Sequence, residues 1–396
     1  MTALAYVFLL LPVGLLAYSY AIYPALLWIG AGLRRADESM GAGLAGSPYQ
    51  PTVTVVVPAY NEERQIAGAI DALLQQDYPR ERSQLLIVSD ASTDATDDIV
   101  RSYADRGVEL LRMPVRGGKT AIENAACGVI RGEIVVNSDA SIRLHRSVIT
   151  NLVARLQDPT VGVASGRDVS VSARDSANSV EAGYVDYEMR LRDLETRTGG
   201  IVGASGCCYA IRTELHRLPI ASDLSRDFCA PLTAKRHGFK AVSVNEALAY
   251  VPRTASLRRE YVRKVRTISR GMETLYSTRQ MLDPMRYGSF AWKLVSHKVC
   301  RWLVPLMGVP AAAALVVLAR AHAWAAWLAL FSLAVAGVAI VGALWPEGKR
   351  MPRPISIVAF AVAANVAVVH ATARLLRARE DKIWEPTRRD VVAPIA

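Results

Sequence analysis

Cysteine and histidine are scarce in this chain, and neither is spaced to bind metal. Five cysteines (127, 207, 208, 229 and 300) form no CxxC pair, and six histidines are scattered, none within HExxH. Structural zinc needs ligand pairs a few residues apart, and a disulfide framework needs an even, patterned set. Both are disfavoured, as is a zinc peptidase; the odd, mostly isolated cysteines fit a reducing compartment such as the cytoplasm. Gly118-Lys119-Thr120 imitates the end of a P-loop. The first glycine of that loop would be residue 113, which is Met, so a P-loop ATPase is disfavoured too.

Charge is absent from four long stretches. Met1 to Leu33, 302–319, 321–346 and 354–373 contain no Asp, Glu, Lys or Arg. At about 1.5 Å per helical residue each can span a bilayer core of roughly 30 Å. The N-terminal stretch lacks the basic start and the small-x-small site of a cleaved leader. Tyr18, Tyr20, Tyr23 and Trp28, followed by Arg34 and Arg35, give it the aromatic and basic edge of a retained anchor. Residues 285–301 mix aromatics with cations and predict an interfacial helix. His322 and His370 are the only ionisable candidates in the spans and lie near segment ends, which disfavours a transporter. The net charge of +11 gathers around these segments, at Arg286, Lys293, Lys298, Arg301, Lys349, Arg350 and Arg353. Anionic lipid explains such placement, and nucleic acid is not required.

Between a small, Gly-rich linker (34–50) and residue 284 the composition is that of a polar α/β domain. Val53–Val57, Leu85–Val88 and Glu133–Val136 are apolar, β-branched runs expected of buried parallel strands, with Val108–Arg112 a further candidate. Helices are expected over 62–76, 94–103, 120–130, 174–197, 224–237 and 257–278. Strands alternating with helices predict βαβ units, with ligands at the carboxyl ends of the strands. The polar clusters fall there: Tyr60-Asn61-Glu62, Asp90 to Asp94, and Asp139-Ala140-Ser141. Asp94 reads as a helix cap, with Asp97 and Asp98 in the following turn. Cys207 and Cys208 have no paired histidine and are expected to pack rather than react.

Five segments in order, VVVPAYNEE (55–63), IVSDASTDATDD (87–98), GGKTAIENAA (117–126), VVNSDASI (135–142) and SRDF (225–228), resemble the successive motifs of membrane-bound family 2 glycosyltransferases, in the branch that makes polysaccharides. The resemblance covers about residues 52–280. It implies a GT-A fold (α/β, Rossmann-like, mostly parallel sheet) at 51–284, one N-terminal and about three C-terminal transmembrane helices within 302–376, and a tail at 377–396. It further implies an inverting enzyme that moves a sugar from a UDP-sugar, with Mg2+ or Mn2+, onto a polyprenyl-linked or polysaccharide acceptor. The catalytic domain would face the cytoplasm at an inner membrane, in exopolysaccharide or cell-envelope glycan synthesis.

By position, Asp227 would be the general base and Asp139 the metal aspartate, with Ser141 where the second acid usually stands. Ala59, Tyr60, Glu62, Asp90, Lys119 and Ser138 would line the nucleotide-sugar site. Arg263 and Arg266 match the place of a pyrophosphate-binding QxxRW whose Gln and Trp are missing; Arg226 replaces the acid before the base. The eroded QxxRW favours adding one or a few sugars over processive synthesis. These departures also leave a second expectation open, a degenerate nucleotide-binding regulatory subunit of a polysaccharide synthase complex. One anchor and three C-terminal spans put both termini outside, so the basic tail 374–379 conflicts with the positive-inside rule.

Overall fold

Val53–Ala59 is buried at all seven positions, and its side chains divide between two apolar layers. Val55 and Val57 join one core cluster with Leu85, Ile87 and Val136, while Val56 joins the other with Leu86, Val88 and Val135. Such strands are covered on both faces, which is why they appear in sequence as unbroken apolar runs. The computed structural model describes residues 2–33, 49–171, 178–252, 256–346, 349 and 351–377. Most of the 34–50 linker, Arg350 and the tail beyond 377 lie outside them. The chain forms two compact units. Of the described residues, one comprises those within 31–173 and 182–253, and the other those within 2–30, 178–181 and 256–377.

The first unit is built on β1 (Val53–Ala59), β2 (Ser83–Ser89), β3 (Val108–Arg112), β4 (Ile134–Ser138), β5 (Arg143–Leu144), β6 (Val161–Val171), β7 (Cys208–Arg212) and β8 (Lys240–Pro252). The order is β3-β2-β1-β4-β7-β6-β8-β5. β3, β2, β1 and β4 run parallel, so Ala59, Ser89 and Ser138 finish at one edge. β7 opposes both β4 and β6, β6 runs parallel with β8, and β5 opposes β8. The sheet is therefore mixed beyond β4, with parallel pairings still the majority. Helices Ile66–Leu74 and Val148–Arg155 pack on one face, and Lys119–Ala126 and Arg226–Arg236 on the other. This three-layer arrangement is the Rossmann-like GT-A architecture.

The second unit is helical. Among the described residues four helices are long and apolar enough to cross a membrane: Thr2–Leu33, Ser289–Ala319, Ala323–Ala343 and Arg353–Leu376. The break expected between an interfacial 285–301 and a span at 302–319 is absent, because helical backbone runs continuously from 289 to 319 through a π-turn at Val295–Val299. Its first turns carry packed side chains. The Trp292 indole donates to the Tyr18 hydroxyl at 3.0 Å, Tyr18 bonds Ser296 at 2.7 Å, and Lys293 and His297 are buried. The basic helix Leu257–Ser277 opens on a Ser256 cap and packs through Met272 on Val368 and Ala371.

Candidate active site

The site forms where the parallel strands end. After β1 and β2 the chain turns sharply, with Asn61 and Ala91 at φ of 53° and 57°. The two loops then bond each other. Asn61 Oδ1 accepts from Thr93 N at 2.8 Å, Glu62 N donates to Thr96 Oγ1 at 2.8 Å, and Glu63 N to Asp94 Oδ2 at 3.2 Å. Asp94 Oδ1 also accepts from Thr96 N at 3.0 Å, so this carboxylate closes the turn into the Thr96–Arg101 helix. Tyr60 carries the Arg116 guanidinium over its ring, 3.8 Å from the centroid.

Asp90 is fully buried. Its backbone N–H donates to the Ala59 carbonyl at 2.8 Å, and its carboxylate oxygens accept from Gly117 N at 2.7 Å and Gly118 N at 2.9 Å. Gly118 has φ of 84° and precedes the Lys119–Ala126 helix. Glycine adopts that left-handed conformation without a Cβ penalty. The carboxylate after β2 thus anchors the helix start that carries Lys119.

Lys119 Nζ lies 2.6 Å from Asp139 Oδ1 and 3.1 Å from the Gly206 carbonyl oxygen. Burial opposes its charge, but Asp139, Glu123 and Asp227 outweigh it and raise the ammonium above its ordinary value, so Lys119 is a cation at any physiological pH. Ser138 and Ser141 flank Asp139 and are buried. Asp227 stands in the first turn of Arg226–Arg236, takes the Ser225 hydroxyl, and lies against Gly206, where an added Cβ would meet its Oδ2 at 2.8 Å. Lys119, Asp139 and Asp227 are thereby gathered around Gly206. Ala59, Tyr60, Glu62 and Asp90 line the neighbouring strand ends.

Arg263 and Arg266 belong to the Leu257–Ser277 helix of the other unit. Arg263 forms a two-pronged pair with buried Glu260, at 2.6 and 2.9 Å. The Cys208 thiol is pushed well up by burial and by Asp168 and Cys207, which suppresses a thiolate and agrees with a packing role. Gly41-Ala42-Gly43-Leu44-Ala45-Gly46 spells the dinucleotide fingerprint. It stands before β1, however, and that fingerprint works only directly after a strand.

Among the described residues no three His, Cys, Asp or Glu side chains converge as a ready-made metal cluster. The donor set fits the sparser mode of a hard cation held by one carboxylate and completed by substrate phosphates and water. Asp139 would supply the carboxylate, with the Ser141 hydroxyl nearby in sequence.

Sequence reasoning missed a buried polar group behind these residues. Burial pushes the Glu123 carboxyl up, and pushes His216 well below its ordinary value, so the imidazole is neutral. The Tyr209 hydroxyl is raised well above its usual range by burial and by Glu123. Lys119 and Glu123 are four residues apart and share one helix face. That spacing is the one sequence signal that could have found Glu123.

A mixed sheet with carboxylates gathered at its parallel carboxyl edge defines a GT-A glycosyltransferase fold. Residues 54–218 match the profile of glycosyl transferase family 2, and the chain belongs to that family. An N-acetylglucosaminyltransferase of Rhizobium sp. (strain N33) is 27% identical over 268 residues, 62% of this chain and 58% of that protein. An N-acetylglucosaminyltransferase of Bradyrhizobium elkanii is 32% identical over 124 residues, 30% of this chain and 68% of that protein. The chain spans about half the length of the curated relatives it matches. Among solved structures, a mannosyltransferase of Pyrobaculum calidifontis in complex with GDP-Man and Mn2+ superposes with a TM-score of 0.70 at 24% identity, covering 94% of this chain and 100% of that one. At this identity the likeness shows the fold.

Proposed function

We propose that the protein is an inverting, membrane-bound glycosyltransferase that moves a sugar, N-acetylglucosamine first among the candidates, from its UDP donor onto a lipid-linked or polysaccharide acceptor. The observation that carries this reading is the gathering of Lys119, Asp139 and Asp227 around Gly206 at the carboxyl edge of the sheet. The acceptor hydroxyl attacks the anomeric carbon as the bond to the diphosphate breaks, and Asp227 takes the hydroxyl proton. The bonding electrons leave with UDP, whose negative charge is met by the fixed ammonium of Lys119. A Mg2+ or Mn2+ ion at Asp139 supplies further charge neutralisation to the diphosphate when bound. Ala59, Tyr60, Glu62, Asp90 and Ser138 form the nucleotide-sugar pocket.

The donor sugar draws on the relatives named above, and the acceptor class on the four apolar helices, which fit a hydrophobic acceptor at a bacterial inner membrane with the catalytic domain in the cytoplasm. The test is UDP release by the full chain in detergent with Mn2+, across a panel of UDP-sugars, beside Asp227→Asn. Release with one sugar, abolished in the variant while Mn2+–UDP binding persists, supports a transferase and identifies its donor. Tight UDP binding without release, even with membrane lipid extract added, would replace the enzyme reading with a nucleotide-binding regulatory subunit.

A further inference from the structure

On the sheet face covered by Lys119–Ala126 and Arg226–Arg236, the chain buries an ion pair that no step above uses. Arg226 Nε lies 3.8 Å from Glu123 Oε2, and both side chains are almost wholly shielded, at 3% and 1% exposure. The rest of the guanidinium is engaged as well. Nη1 donates to the His216 carbonyl at 2.9 Å and meets the neutral His216 Nδ1 at 3.2 Å, while Nη2 donates to Asn124 Oδ1. One planar group therefore ties three helices together, Lys119–Ala126, Thr213–His216 and its own. Arginine alone offers that many donors in a rigid fork.

Among the described residues neither Glu123 oxygen has a hydrogen-bond partner, so Glu123 meets Arg226, and Lys119 one turn earlier, through charge alone. Stability does not account for such a pair, because well-packed apolar side chains of similar volume usually hold a core as well or better. What the pair does determine is the setting of the next residue. Consecutive helical side chains point about 100° apart, a consequence of 3.6 residues per turn. Fixing Arg226 inward therefore fixes the rotation of the first turn, and with it the direction of Asp227 toward Gly206.

We propose that Arg226, held by Glu123, is a positioning residue for Asp227. The pair keeps the base carboxylate at Gly206, beside Lys119 and Asp139, with the Arg226 guanidinium donating to acceptors on two other helices. This proposal rests on Asp227 being the base. In sequence Arg226 looks like a loss, since it stands where the family carries an acid, and Glu123 supplies the matching carboxylate from another helix.

Arg226→Gln, Glu123→Gln and the double variant separate positioning from stability, with Asp227→Asn run in parallel. UDP release with the active donor of the panel gives kcat and KM, and thermal unfolding gives Tm. Each single variant takes a partner from a buried charge and lowers Tm; the double variant removes both charges and recovers much of it. Displacing a reacting group by about 1 Å costs on the order of 100-fold. Arg226→Gln is therefore expected to lower kcat by roughly 10- to 100-fold, with KM within about twofold, and the double variant is expected to stay slow despite its recovered Tm. Recovery of kcat together with Tm in the double variant, or a single Arg226→Gln with wild-type kcat, would overturn the proposal and leave only a structural pair. Activity surviving in Asp227→Asn would instead remove the base assignment on which it rests.

Discussion

The ammonium of Lys119 sits 2.6 Å from Asp139 Oδ1, so the strand-end aspartate and the first cation of the following helix form one unit. Each side chain is only about one-fifth exposed, and Glu123 and Asp227 reinforce the positive charge. Lys119→Met removes the cation while keeping length and apolar bulk. Removing one charged stabiliser of a leaving group costs roughly 10²- to 10³-fold in kcat, and a loss of this size is expected here. Lys119→Arg should recover little, because a planar fork cannot replace a compact ammonium in that space. Steady-state UDP release checks both. A Lys119→Met enzyme within threefold of wild type would show that the pair is structural.

Asp90 makes a different kind of prediction, because both its oxygens are occupied by backbone. Asp90→Ala leaves the Gly117 and Gly118 N–H groups without their acceptors, at roughly 1–3 kcal/mol for each buried donor. Asp90→Asn keeps one acceptor oxygen and should fall between. The expected order of Tm is wild type, Asn, Ala, with KM for the UDP-sugar rising in the same order as the start of the Lys119 helix loosens. Equal melting of all three proteins would exclude this bracing role.

The legible and illegible parts of the molecule divide on physical grounds. β1, β2 and β4 could be read because strands covered on both faces must be apolar throughout. β6 could not: its ten residues after Val161 include Gly162, Gly166, Arg167 and Asp168, and its second half is only half-buried. Asp139, Lys119 and Asp227 could be placed at the site because strand ends and helix starts are local features. Their meeting at Gly206 was not legible, since it depends on β7 lying antiparallel beside β4. Glu123 was hidden for a similar reason, its partner Arg226 lying 103 residues away and joined to it only by helix packing. The continuous 289–319 helix went unread because its cations suggest an interface, whereas tertiary contacts bury Lys293 and His297.

Alkaline pH should weaken the sheet unit through Tyr78. This hydroxyl donates to the Pro51 carbonyl at 2.5 Å, and burial pushes its pKa up to about 12 from 10.0. The raised value means that the folded state holds the proton longer than the unfolded chain does. Its contribution is complete below pH 10 and is lost as pH rises toward 12, at about 1.4 kcal/mol per pH unit. Lys119 acts in the same direction, since its pKa is also raised. Thermal unfolding of the full chain in detergent between pH 9 and 12 should show the decline, and Tyr78→Phe should flatten it. An identical slope in Tyr78→Phe would assign the alkaline loss elsewhere.

Gly206→Ala tests the geometry of the base directly. The added Cβ would stand 2.8 Å from Asp227 Oδ2, nearer than real Cβ contacts come, so the carboxylate has to move. The Gly206 carbonyl still accepts from Lys119, and the diphosphate side of the site keeps Asp139. Donor binding should therefore survive while proton abstraction suffers. A shift of the base by about 1 Å predicts a kcat loss on the order of 100-fold, with Mn2+–UDP affinity within about threefold of wild type by calorimetry. Loss of UDP binding in parallel with kcat would mean that Gly206 shapes the donor pocket rather than the seat of the base, whereas unchanged kcat would place the reacting hydroxyl away from Asp227.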